Sequence, residues 1–236
     1  KKHVSIARVS DLFQSFIYFL IPAGLVALQP DFGSILLLFL IWLGFVLVSG
    51  IPWRHLLIAL LIFAVLGVIM WHSVLKEYQK ERILGLFFSN RDVLGINYNV
   101  IQSKIAIGSA GLFGKGFKQG TQVQLGFLPE AQTDFIFAAV IEEWGLISGL
   151  LMIAAFVVII FRIISIGVIE RNNFNRFVCL GTAIYFCANF IFNTGSNVGL
   201  LPVIGVPFPF LSYGGSHLAT ELILIGMVQS IKARNS

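Results

Sequence analysis

The 236-residue sequence is strongly apolar, with 57% hydrophobic residues, 11% charged residues and a mean hydropathy of +0.90. Since soluble domains carry about 25% charged residues, this composition excludes an ordinary soluble protein and indicates an integral membrane protein. The formal net charge is +5, but the basic residues form no arm or stripe with soluble flanks, so we expect no nucleic-acid partner.

Six apolar stretches approach the length of about 20 residues that a transmembrane helix needs. Pro22 is expected to kink the first stretch, and residues 29–33 break the chain before the second, so the first two stretches predict a helical hairpin. The sequence therefore predicts an all-α, polytopic membrane protein. The six predicted spans are residues 12–28, 32–49, 51–71, 135–164, 177–192 and 217–231.

The orientation of these spans follows from Lys and Arg in the short loops, because cytoplasmic loops carry an excess of both. Nine basic residues fall on the side of the two chain ends, and the short loops around Asp31 and over residues 196–216 hold none. The chain ends are thus predicted to be cytoplasmic, and residues 73–133 form one large extracytoplasmic loop, too long for the sidedness rule to govern. We expect a single membrane domain over residues 1–236, with three spans in 1–72, short interfacial helices in the 73–133 loop and three spans in 134–236.

A basic, glycine-rich segment over residues 108–120 is the first place where chemistry is expected. Its five glycines let the backbone approach a ligand closely and direct N–H groups at an anion, while Lys115 and Lys118 add mobile positive charge. Lys115 is followed by Gly116, so the segment is not a Walker A loop, and no nucleotide cofactor is expected. The spacing alone leaves open a flexible turn with solvated lysines.

Several carboxylates occupy unusual places in this apolar chain. Asp134 opens the fourth predicted span at the outer surface, where a carboxylate is either a helix cap or a functional group. Asp31 closes the first hairpin on the same side, and an Asx turn is its structural alternative. Glu142, Glu143 and Glu221 lie within apolar runs without an evident cationic partner in these spans, which leaves a protonated or water-lined state open.

Four short blocks of residues carry a family resemblance. They are Gln29-Pro30-Asp31-Phe32-Gly33, Gly114-Lys115-Gly116, Leu128-Pro129-Glu130 followed by Thr133-Asp134-Phe135-Ile136-Phe137-Ala138, and Pro209-Phe210-Leu211-Ser212-Tyr213-Gly214-Gly215. In this order they resemble the signature blocks of the SEDS family (RodA/FtsW) of peptidoglycan glycosyltransferases, and residues 206–209 look closer to the RodA branch than to FtsW. Family members typically have ten transmembrane helices, so the chain resembles the last six. Because it starts at Lys1 without a visible signal peptide, we expect it to begin within a longer protein.

The resemblance implies an enzyme that polymerises lipid II into glycan strands with release of undecaprenyl diphosphate, for cell elongation and shape. The family's catalytic aspartate lies in the Thr-Asp-Phe block, which places a general-base role on Asp134. The resemblance further implies a class B penicillin-binding transpeptidase as partner, and a bacterial plasma membrane location with the active site on the extracytoplasmic face. Substrate-binding roles are expected for Lys115, Lys118, Gln102, Arg82, Glu130, Asp31, Ser212 and Tyr213.

Two other functions remain open from the sequence. Glutamates within the spans are what a proton-coupled carrier of a lipid-linked precursor would use, and a non-enzymatic scaffold for elongation or division partners is a third possibility. A divalent cation that assists the lysines is also left open, because the sequence has neither a dedicated ligand cluster nor a zinc pattern such as HExxH. The sequence does not separate a donor site from an acceptor site.

Overall fold

The computed structural model describes residues 9–29, 31–48 and 97–234, together with positions 57, 61, 65, 67, 68, 71–73, 77, 80, 81, 84 and 85. These residues are helical or in turns and loops, and no strand occurs among them, as the sequence predicts. The helices are α1 Val9–Ala27, α2 Phe32–Val48, α3 Tyr98–Ser109, α4 Thr121–Gln124, α5 Ile136–Ile169, α6 Asn173–Asn197 and α7 Gly215–Arg234. The predicted span 51–71 lies largely outside the described residues.

Contacts between residues divide the chain into two units, 1–80 and 81–236. In the first unit, α1 and α2 pack together as the predicted hairpin. Trp42 of α2 is buried against α1, where its ring centroid lies 5.4 Å from that of Phe16 and its indole N–H donates to Ser15 Oγ at 3.2 Å. The indole thus fills the helix contact while its polar atom keeps a partner, as a buried Trp requires. The single membrane domain expected from the sequence stays a prediction.

In the second unit, α5 and α6 pack along each other, and α3 and α7 pack against both. Aromatic rings fill the contact between these helices, with Phe156 of α5 and Phe190 of α6 stacked at 4.5 Å between centroids. Phe208, from the chain between α6 and α7, joins this cluster and stacks on Phe137 at 5.8 Å. Helices α5 and α6 are long and apolar enough to cross a membrane, while the apolar helices of the first unit are shorter.

Helix α5 is broken at Gly145, where φ is 84° and ψ is 174°. A left-handed φ of this kind is open to glycine and strained for other residues. The break removes helical hydrogen bonds, and the glycine-rich loop before α4 replaces them with four others. These are Lys115 N to Glu142 O (2.9 Å), Gly116 N to Glu143 O (3.0 Å), Leu146 N to Gly111 O (3.0 Å) and Ile147 N to Leu112 O (3.3 Å).

These four bonds decide how the glycine-rich loop is held. In an unbroken helix the carbonyls of Glu142 and Glu143 would accept from the N–H groups four residues later. Here the carbonyl and the N–H group of each such pair instead bond to backbone groups of the loop. The backbone groups at the break therefore keep hydrogen-bond partners, as an irregular segment within a membrane protein requires. The loop is therefore bound to α5 through its backbone rather than being a free turn.

Candidate active site

The chain enters α5 through a tight turn that begins at Glu130 and contains Asp134. Glu130 has a φ of 55°, and its carbonyl accepts from the backbone N–H groups of Thr133 and Phe135, each at 3.1 Å. The Thr133 hydroxyl donates to the Glu130 carboxylate at 2.7 Å. Phe135 is 1% exposed and packs with Ala106 in a small apolar cluster. The turn is thus anchored at both ends, with the half-buried Asp134 between them.

Two buried asparagines of α6 fix the backbone at Asp134. The side-chain amides of Asn193 and Asn197 both donate to the Asp134 carbonyl, at 2.9 and 2.8 Å. The Asn197 side-chain oxygen accepts from Ala138 N at 3.0 Å, and the Ser103 hydroxyl donates to the Asn197 carbonyl at 2.8 Å. Because both asparagines are at most 1% exposed, these bonds form away from water and define the position of the Asp134 backbone.

Sequence reasoning missed these asparagines, although a signal was present. Asn189, Asn193 and Asn197 follow one another at intervals of four residues in an otherwise apolar helix, which places them on one face. A buried amide in a membrane helix is costly unless it is hydrogen-bonded. A row of three such residues therefore indicates a polar contact with another element.

Ser212 and Tyr213 also bind the turn, at the residues that precede Asp134. The Ser212 hydroxyl donates to the Thr133 carbonyl at 2.6 Å and accepts from Phe208 N at 2.7 Å. Tyr213 N donates to the Gln132 carbonyl at 2.8 Å, while the Tyr213 side chain is 80% exposed. The structure therefore brings Ser212 and Tyr213 beside the residues that precede Asp134, Ser212 buried and Tyr213 open to a ligand.

Lys115 forms an ion pair with the fully buried Glu142, at 2.8 Å from Nζ to Oε1. Its ammonium also donates to Thr121 Oγ1 at 2.9 Å. The Glu142 carboxylate accepts in addition from the backbone N–H groups of Gln122 and Val123, at 2.9 and 3.2 Å, at the first turn of α4. The sequence offers this glutamate no evident cationic partner within the spans, and the partner that the structure shows, Lys115, comes from the loop.

A second buried glutamate, Glu221 of α7, is also paired. Its Oε1 lies 2.8 Å from His217 Nε2, and its Oε2 accepts from Phe210 N at 2.8 Å. The other His217 ring nitrogen lies 3.2 Å from the Tyr185 hydroxyl. Glu221 thus ties α7 to the residues that lead into Ser212, and its partners lie on different elements, so sequence spacing does not reveal them all.

The other predicted site residues lie elsewhere in the two units. Lys118 is exposed in the glycine-rich loop with a φ of 57°, its ammonium 5.5 Å from the centre of the Phe117 ring. Gln102 lies half-buried on α3, next to the buried Ser103. Asp31 belongs to the first unit and caps α2: its carboxylate accepts from Ser34 N at 3.1 Å and from Ser34 Oγ at 2.6 Å. The predicted Arg82 lies outside the described residues.

The arrangement around Asp134 suits proton transfer at a surface. A half-buried carboxylate stands at the start of a long apolar helix, on a backbone held by buried amides and next to the exposed Glu130 and Tyr213. Such a group accepts a proton from a hydroxyl brought to within hydrogen-bond distance. Within the part of the chain that the structure describes, no group of three or more His, Cys, Asp or Glu side chains stands ready to hold a metal ion.

Comparison with known proteins identifies the family. The FTSW_RODA_SPOVE family model, described as "Cell cycle protein", matches residues 1–236. The chain is similar to peptidoglycan glycosyltransferase MrdB of Escherichia coli, with 42% identity over 210 residues that cover 89% of this chain and 57% of that protein. It is also similar to the probable peptidoglycan glycosyltransferase FtsW of Thiomicrospira cyclica, with 34% identity over 220 residues that cover 92% of this chain and 56% of that protein.

Solved structures give the same picture. One, described as "Structural coordination of polymerization and crosslinking by a peptidoglycan synthase complex", matches with a TM-score of 0.76 and 33% identity over 95% of this chain and 62% of that chain. Another, an aspartate-to-alanine mutant of the Thermus thermophilus rod shape determining protein RodA, matches with a TM-score of 0.61 and 27% identity over 94% of this chain and 57% of that chain. The chain thus spans little more than half the length of the relatives it matches. It belongs to the RodA/FtsW (SEDS) family of membrane proteins, and its fold is the polytopic helical fold of that family.

Proposed function

We propose that this chain is the part of a peptidoglycan glycosyltransferase that carries its catalytic carboxylate, Asp134. The named relatives support the reaction class, since MrdB and FtsW are called peptidoglycan glycosyltransferases. The observation that carries the assignment of the residue is the pair of buried amides, from Asn193 and Asn197, on the Asp134 carbonyl. A catalytic base works best when its position is fixed before the substrate arrives, and these two bonds fix the backbone that carries the carboxylate.

In the proposed reaction, a sugar hydroxyl of one lipid II molecule attacks the anomeric carbon of another. Asp134 takes the proton from this hydroxyl as its oxygen bonds to the carbon, and the bond from the carbon to the diphosphate oxygen breaks. Undecaprenyl diphosphate leaves with the electron pair and needs no acid, so one carboxylate suffices. Direct displacement inverts the α-linked donor to a β-1,4 product, unlike the paired carboxylates of glycosidases.

Positive charge is needed where the diphosphate leaves, and we assign it first to Lys118. Lys118 is exposed in the glycine-rich loop, whereas the Lys115 ammonium already uses two of its three donors on Glu142 and Thr121. Lys115 then contributes one remaining N–H and holds the loop in place. A divalent cation at this place would take the diphosphate oxygens as ligands together with one or two protein carboxylates.

We further propose that the protein works in the bacterial plasma membrane, with Asp134 on the extracytoplasmic face and a class B penicillin-binding transpeptidase as partner. The distribution of Lys and Arg supports this orientation. One structural relative is described as a synthase complex that coordinates polymerization with crosslinking, which supports a transpeptidase partner. A membrane-impermeant maleimide added to whole cells should label an Asp134→Cys variant and leave an Arg171→Cys variant unlabelled; the reverse pattern would contradict the orientation.

The function is tested with Asp134→Asn in the full-length protein, given lipid II in detergent. Loss of a general base is expected to lower the rate of glycan strand formation at least 100-fold. Glu143→Gln is the matched control, because it removes a carboxylate from the same helix away from the turn, and it should keep the parent rate. Lipid II binding by Asp134→Asn should stay within twofold of the parent. Glycan strands formed at the parent rate by this variant would show that Asp134 is not the base.

A carrier of a lipid-linked precursor is the alternative function. Such a carrier would use Glu142, Glu143 and Glu221. In the structure, two of these three glutamates have a basic partner, Lys115 for Glu142 and His217 for Glu221. Polymer formation in detergent, where no two compartments exist, would support the enzyme. Transfer of lipid II across vesicles without any polymer would support the carrier.

A further inference from the structure

Two adjoining apolar grooves lie on the second unit near the C-terminal ends of α5 and α7. The first has a volume of about 290 Å³ and runs between the two helices from Lys232 to Phe210, over Ile225 and Val228. The second has a volume of about 740 Å³ and follows the exposed face of α5. Arg162, Ile166 and Lys232 line both grooves and form the wall between them. The two grooves thus share one basic wall and are otherwise mainly apolar.

The wall carries two basic side chains, Arg162 and Lys232. Among the described residues, no acidic side chain lines either groove, and the exposed Arg162 has no ion-pair partner. A guanidinium on an apolar membrane helix is costly unless it meets water, a carboxylate or a phosphate. Arginine matches phosphate geometry well, and basic pockets between membrane helices bind anionic lipid head groups.

We propose that this double groove binds one anionic phospholipid with two acyl chains, its phosphate between Arg162 and Lys232 and one chain in each groove. The single shared wall offers a place for one head group, and the apolar groove on each side of it offers a place for one acyl chain. The occupant is a membrane lipid distinct from the polyprenyl diphosphate of the proposed reaction. Arg162 lies in the C-terminal part of α5, beyond the break at Gly145, whereas Asp134 precedes the N-terminus of that helix.

Contacts link the first groove to the candidate active site. One acyl chain would reach Phe210, whose backbone N–H is held by Glu221. Phe210 is two residues from Ser212, which binds the turn before Asp134 through the Thr133 carbonyl. A bound lipid is therefore expected to affect the position of the turn that holds Asp134. The lipid site itself does not depend on the proposed glycosyltransferase function.

The charge requirement is tested by binding of phosphatidylglycerol and phosphatidylcholine with identical acyl chains to the purified full-length protein, measured by native mass spectrometry. The parent should bind phosphatidylglycerol more tightly. We expect Arg162→Ala or Lys232→Ala to weaken phosphatidylglycerol binding about fivefold, and the double variant about 30-fold. Arg171→Ala, an exposed basic residue in the connection after α5, is the matched control and should change binding less than twofold.

The groove itself is tested with a second pair of variants. Gln229 lines the first groove and is exposed, so Gln229→Trp should fill the groove without disturbing the core and weaken phosphatidylglycerol binding about tenfold. Ser230→Trp adds the same ring one residue away, outside the groove lining, and should leave binding unchanged. The proposal is overturned if the double charge variant binds phosphatidylglycerol within twofold of the parent, if both lipids bind equally well, or if the two tryptophan variants behave alike.

Discussion

Replacing Lys115 by methionine should destabilise the protein, because it leaves the carboxylate of Glu142 buried without its cation. Removing one member of a buried pair costs about 3–5 kcal/mol, and the Lys115 side chain is 24% exposed, so we expect about 3 kcal/mol. Glu142→Gln keeps an oxygen acceptor for the first turn of α4 but loses the charge and one acceptor, at about 2 kcal/mol. If the two residues act mainly on each other, the double variant Lys115→Met/Glu142→Gln loses about 2 kcal/mol, well short of the sum of the single losses.

The free energy of unfolding, measured by reversible unfolding in mixed detergent micelles, tests this cycle. Single losses that add up in the double variant would refute the pairing argument. The same three variants, assayed with lipid II, separate two roles of Lys115. Recovery of glycan synthesis in the double variant would mean that Lys115 acts by holding the loop on α5. A double variant as slow as Lys115→Met would mean that its ammonium binds the diphosphate.

Three further substitutions probe the elements around the site. Gly145→Ala should cost at least about 3 kcal/mol of unfolding free energy, since φ is 84° there and a methyl group would meet the bound loop. Gly108→Ala, inside α3 with open space around it, should leave the unfolding free energy unchanged or raise it by up to about 1 kcal/mol, and equal losses at the two positions would contradict this account. Asn197→Asp keeps the size of the side chain but turns an acceptor toward the carbonyl of Asp134. We expect about 3 kcal/mol of destabilisation and a lower rate constant for glycan synthesis at saturating lipid II. An unchanged thermal midpoint would speak against the role of the two amides in holding the Asp134 backbone. Glu221→Leu should cost about 2 kcal/mol because it leaves the half-buried backbone N–H of Phe210 without its acceptor, whereas Glu221→Gln, which keeps an acceptor, should cost about 1 kcal/mol in the same unfolding experiment.

Much of the candidate site was indicated by the resemblance of short sequence blocks to the signature blocks of the SEDS family. Asp134, Ser212 and Tyr213 were all singled out through their sequence blocks, and the structure brings them around one turn. The role of Glu142 was not readable, because its partner Lys115 lies 27 positions away in a loop, and only the break in α5 brings that loop to it. A hydrogen-bond partner set by tertiary packing has no fixed spacing in sequence, in contrast to a helix cap such as Asp31.

By itself, the sequence determined that this protein is helical and membrane-embedded, because long apolar runs with few charges have no other favourable arrangement in a bilayer. It also determined where α1, α2, α5, α6 and α7 lie, within a few residues. Only the tertiary structure decided that α5 breaks at Gly145 and accepts a loop, that buried asparagines hold the backbone at Asp134, and that Glu142 pairs with Lys115. The physical reason is that apolar periodicity is a local property, whereas satisfying a buried polar group depends on which distant segment packs against it.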